Sequence, residues 1–113
     1  MQVMFESRDP EASRLRGLAE RRVRFVMRRL TWLVPRAHVR MHDINGPRGG
    51  VDKRVQIELR TESGGSVVVT SVARDWRSAL DTALARAARA IVRAWRRARS
   101  HPRAPRAAWP TAA

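Results

Sequence analysis

Apolar and polar positions alternate along the chain with two different periods, and the changes of period mark out the elements. Gln2–Ser7 alternates, with Val3 and Phe5 on one side and Met4 on the other, which predicts a short first strand. Asp9-Pro10-Glu11 then reads as a helix start. Asp9 can cap, Pro10 suits a first helical position where its missing N–H is not needed, and Glu11 complements the positive end of the dipole. Leu15, Ala19, Val23, Val26, Leu30 and Leu33 recur at helical spacing and predict one long helix, about 24 residues, closed by Pro35. Arg21, Arg24 and Arg28 fall opposite this stripe, and Arg22 and Arg29 lie on its flank, where their stems can run along apolar surface.

The period then returns to two. Ala37, Val39 and Met41 alternate with His38, Arg40 and His42 in a second strand ending at Asp43, and a loop follows from Ile44 to Gly50. Val55, Ile57 and Leu59 alternate with Gln56, Glu58 and Arg60 in a third strand, and residues 61–65 supply a Gly-containing hairpin turn. Residues 67–72 form the fourth, whose Val-Val-Val run predicts burial on both faces or at least a crowded sheet. Asp75 caps a second helix in which Leu80, Leu84, Ala87, Ile91, Ala94 and Ala98 form one narrow apolar stripe. The order β-α-β-β-β-α predicts an α+β fold of two layers, a four-stranded sheet covered on one face by two helices. Its first two strands are joined by a helix and should pair in parallel, and the rest should be hairpins. The 113 residues divide into a folded domain over 1–100 and a basic, Pro- and Ala-rich tail over 101–113 that reads as flexible.

Charge changes this picture from a plain two-layer domain to a surface with a purpose. Twenty-four Lys and Arg against ten Asp and Glu give a formal net charge of +14. That is the balance of a polyanion binder. All but one of the basic residues are Arg, the exception being Lys53, and guanidinium groups favour planar, bidentate contact with phosphate. Around the final helix, Arg86, Arg89, Arg93, Arg96 and Arg97 cluster opposite the apolar stripe, and the one acid from residue 76 onward is Asp81. Such a face repels itself unless solvent or a polyanion screens it, and nucleic acid rewards a row of fixed cations through counterion release. Neither helix pairs its basic face with a spare apolar one, so a membrane surface fits less well. General nucleic-acid chaperoning or DNA compaction would follow from net charge alone.

Catalysis has less to stand on. The absence of cysteine removes disulfides, thiolate metal sites and thiol nucleophiles. His38 and His42 share a strand face but stand about 13 Å apart, and Asp43 points to the other side, so no metal site is expected. Asp75 is taken up as a cap. The segment Asn45-Gly46-Pro47-Arg48-Gly49-Gly50 is followed by a strand and contains no Gly-Lys-Ser/Thr, so it is no phosphate loop of the nucleotide-binding kind. Arg48, Lys53 and Arg54 around it remain a secondary place for RNA backbone contact. Of the four tryptophans, Trp32 and Trp95 are expected in core or helix packing, and Trp76 and Trp109 in exposed positions. With no leader-like start and no apolar run of about 18 residues, a cytoplasmic protein is expected, without cofactor or small-molecule substrate.

Several stretches resemble the ribosome hibernation-promoting factor family, also called the ribosome-associated inhibitor or sigma-54 modulation protein family. They are the opening Met1-Gln2-Val3; Leu15, Leu18 and Ala19 with Arg22-Val23; Asp75, Ala79, Leu80 and Asp81 leading to Arg86 and Arg89; and the segment from Asn45 to Lys53, which looks like a subset of short members. The resemblance spans nearly residues 1–100 and implies a protein that binds the small ribosomal subunit near the tRNA and mRNA positions and silences idle ribosomes. It also implies that Arg22, Arg86, Arg89 and Arg93 take the places of family basic residues against rRNA, with Arg96 and Arg97 extending the row. The chain departs from the family in carrying Arg77 where an aromatic is usual, with Trp76 beside it. No counterpart of the C-terminal dimerisation domain of long members is expected, which leaves open whether the protein pairs ribosomes or only inactivates them, and its self-association with it.

Overall fold

The computed structural model describes residues 1–44 and 52–100. Seven elements follow in chain order: β1 (Gln2–Ser7), α1 (Pro10–Ser13), α2 (Arg16–Val26), β2 (Arg36–Asp43), β3 (Lys53–Arg60), β4 (Ser66–Ala73) and α3 (Trp76–Ser100). The strands form one sheet in the order β1-β2-β3-β4. β1 pairs β2 in parallel across the helical crossover, and β2–β3 and β3–β4 are antiparallel. The architecture is therefore the α+β two-layer fold that the periodicity predicts.

One face of the sheet carries the core. Ala37, Val39 and Met41 of β2 and Val55, Ile57 and Leu59 of β3 are buried beneath Ala19 and Val23 of α2 and Leu80, Leu84, Ala87 and Ile91 of α3. The opposite face is open. Its register rows run Met4–His38–Glu58–Val68, Glu6–Arg40–Gln56–Thr70 and His42–Arg54–Val72, and Met4, Val68 and Val72 are exposed. This corrects the expectation of a fourth strand buried on both faces: β4 is an edge strand whose Val68 and Val72 face solvent.

The first helix also differs from its expected single span. Asp9 caps it as anticipated, its side chain accepting from Ala12 N–H at 3.1 Å. The chain then tightens: Leu15 N–H bonds back to Ala12 O, and α2 starts only at Arg16. After Val26 the chain continues as turns, with three-residue bonds from Arg28 to Phe25 O, Leu30 to Met27 O and Leu33 to Leu30 O. Three-residue and four-residue bonding keep nearly the same residues facing inward, so the apolar stripe survives the break. Between Val23 and β2 the fully buried residues are Met27 and Val34, whereas Val26 and Leu33, which the spacing places on the stripe, are only partly buried.

One tryptophan occupies other surroundings than expected, and another packs as expected while staying partly open. Trp76 is buried, 3% exposed, because the first turn of α3 closes over the paired ends of β2 and β3. There Lys53 Nζ lies 2.8 Å from Asp43 Oδ2, 3.2 Å from Asp52 Oδ1 and 5.7 Å from the centre of the Trp76 ring. Asp52 is wholly buried, and Ile44 N–H donates to its carbonyl at 2.8 Å. The cluster ties the end of β2 to the start of β3. Trp32 is 57% exposed, yet it meets Trp95 edge-on at 5.4 Å between ring centres.

Candidate nucleic-acid interface

α3 is the element that builds the basic surface. Asp75 starts it, accepting from Ser78 N–H at 2.7 Å and from the Ser78 hydroxyl at 2.9 Å. Those bonds hold the Asp75 carboxyl below its ordinary range. From this cap α3 runs unbroken for 25 residues, roughly 37 Å at 1.5 Å per residue. With Leu80, Leu84, Ala87 and Ile91 fixed against the sheet, the 100° step leaves Arg86, Arg89, Arg93, Arg96 and Arg97 on the other side, and all five are exposed.

The five arginines do not share one environment. Arg86 reaches over the free edge of β4, its Nη1 donating to Thr70 O at 3.4 Å. Arg89 and Arg93 have no carboxylate within ion-pair distance among the described residues. Arg99, two residues past the end of the row, lies over the Trp95 ring at 5.0 Å. Among the described residues the row is exposed on the side of α3 away from its buried stripe.

Arg22 is placed differently. Its Nε donates to Asp81 Oδ1 at 2.6 Å, tying α2 to α3 with both side chains about two-fifths exposed. It belongs to the same surface, but with part of its charge met by the single acid of α3. Periodicity puts it on the flank of the stripe, and that flank is the α2–α3 seam. The secondary residues are scattered: Arg48 lies outside the described residues, Lys53 is held by two carboxylates, and Arg54 is exposed on the open face of the sheet, in register with His42 and Val72. The neighbouring aspartates raise the Lys53 ammonium above its ordinary value, chiefly through the Asp43 hydrogen bond and against the effect of burial.

The basic helical layer contains an aromatic group that periodicity did not single out. Phe25 of α2 is 64% exposed, and the Arg28 guanidinium lies over its ring at 4.2 Å. An apolar groove of about 350 Å³ opens at the far end of α3, between Trp32, Trp95, Ile91 and the β3–β4 turn. Of the residues considered for catalysis, His38 Nε2 lies 3.3 Å from Glu6 Oε1, His42 is exposed and Asp43 is bonded to Lys53. No three His, Asp or Glu side chains converge as a metal site among the described residues. No described helix is long and apolar enough to cross a membrane.

No family model matches the chain, and no curated protein matches it. Among solved structures, the chain is similar to a ribosomal subunit interface protein from Coxiella burnetii, with a TM-score of 0.63 and 16% identity over 82% of this chain and 96% of that one. At that identity the likeness is one of fold: this four-stranded plate with its helices on one side is an architecture that a ribosomal subunit interface protein also has.

Proposed function

We propose that this chain is a member of the ribosome hibernation-promoting factor family, a non-catalytic cytoplasmic protein that binds the small ribosomal subunit through its rRNA. In this reading it occupies the region of the tRNA and mRNA sites and silences idle ribosomes. The observation that carries the reading is the arginine row of α3, outward along the helix and opposed by one acid, Asp81. It is supported by the fold shared with a ribosomal subunit interface protein and by the motif resemblance of residues 1–100. Arg86, Arg89 and Arg93 supply fixed cations for phosphates, Arg96 and Arg97 prolong the track, and Arg22 joins it from α2. Each phosphate neutralised releases counterions, so binding weakens steeply with salt.

Cosedimentation through a sucrose gradient with purified small subunits tests the proposal. The protein is expected in the subunit fractions at moderate salt; recovery only at the top of the gradient would overturn it. A second reading, a general nucleic-acid chaperone or DNA-compacting protein, is favoured by the +14 charge and by Arg36 and Arg54 on the open sheet face. Equal affinity for duplex DNA and for ribosomes would support that reading instead.

A further inference from the structure

Phe25 is the most exposed of the large apolar side chains among the described residues, at 64%. Its place in the fold is specific. Taking about 100° per residue from Val23, which faces the sheet, Phe25 lies nearly opposite, and Arg22 points sideways to α3. Two contacts set the level of the segments: Arg22 meets Asp81, and further along Trp32 meets Trp95. Phe25 therefore sits on the outer surface of the helical layer, level with the stretch of α3 that carries Arg86, which turns to the free edge of β4, and Arg89, which stays on the outer side. Arg21 and Arg24, four and one residues before it, are exposed beside it.

The ring is already half of a stack. The Arg28 guanidinium lies over it at 4.2 Å, and Arg28 Nη1 donates to Phe25 O at 2.7 Å, which fixes the guanidinium in place. Aromatic and guanidinium planes are the two surfaces on which unpaired bases stack, and a duplex hides base faces inside its own stack. We infer that the Phe25–Arg28 pair is a base-stacking platform that takes an unpaired nucleobase of an RNA whose phosphates lie on the arginines of α2 and α3. The inference rests on the RNA-binding reading of this surface and adds to it a site for bases. Stacking is short-ranged and releases no counterions, so the platform contributes affinity without contributing to salt dependence.

The test uses the full chain, a labelled single-stranded RNA 12-mer and the duplex of the same sequence, with affinity measured by fluorescence anisotropy across a salt series. Phe25→Ala is expected to weaken single-strand binding about tenfold, with an unchanged salt slope and unchanged duplex binding. Phe25→Trp should retain wild-type affinity. Because the ring is largely exposed, thermal melting should be the same for all three proteins. Single-strand binding by Phe25→Ala equal to wild type, or an equal loss on single strand and duplex, would overturn the inference and leave Arg28 as a mere cover for the ring. A wild-type protein that prefers the single strand through Phe25 but does not sediment with small subunits would overturn the ribosomal reading alone. A wild-type protein that binds neither RNA would overturn both.

Discussion

Asp75 and Lys53 hold their charges for opposite reasons, and each makes a prediction at the scale of one residue. The Asp75 carboxyl sits below its ordinary value because Ser78 donates to it twice. A lowered carboxyl adds stability that is present above about pH 3.8 and is lost as pH falls through the folded value. Thermal melting over an acid series should show a steeper loss for wild type than for Asp75→Asn. Lys53 is raised above 10.5 by Asp43 and Asp52. Its contribution is complete below about pH 10.5 and disappears as pH rises through the folded value, so Lys53→Met should flatten the alkaline limb of the same measurement. Lys53→Met should also destabilise the fold at neutral pH, because it leaves wholly buried Asp52 facing an apolar stem. Neither Asp52 nor buried Trp76 was legible as part of one cluster, since their meeting depends on how the ends of β2 and β3 pack against the first turn of α3.

At the scale of the element, α3 combines a core side with a ligand side, and the two separate cleanly by mutation. Leu84→Ala, at a fully buried position, should cost about 2–5 kcal/mol in denaturant unfolding and leave the arginine side unaltered. Asp81→Asn should do the reverse. It breaks a half-exposed bridge, contributing about 0.2–1 kcal/mol, and frees Arg22 for phosphate. The salt slope of RNA binding should then steepen by about 0.7–0.9. Strands and α3 were readable in advance because alternation and the 3.6-residue stripe each point one face at one core. The division of the first helix was not, because its three-residue turns place Leu30 and Val34 inward much as a continuous helix would. Arg22 shows the complementary limit: its flank position was visible, but its partner lies 59 residues away. Phe25 stands opposite the stripe, where an apolar residue carries no periodic signal.

For the whole molecule, the sheet acts as a plate that holds two helices side by side, and its register determines where their outer sides point. Charge is arranged unevenly over this plate: the helical layer carries a continuous row of five arginines, Arg89 and Arg93 among them without acidic partners among the described residues, whereas on the open sheet face Arg36 and Arg54 stand at opposite ends of the register and Arg40 and Arg60 are met by Glu6 and Glu58. Polyanion binding should therefore enter from the helical side. The most direct test is cosedimentation of wild type and the Arg89→Glu/Arg93→Glu double variant with purified small ribosomal subunits across a salt series. Wild type should sediment with the subunits at moderate salt, and the variant, equally stable, should bind more weakly, with a salt slope flatter by about 0.7–0.9 for each phosphate it no longer neutralises. A variant that sediments like wild type at every salt concentration would contradict binding from the helical side.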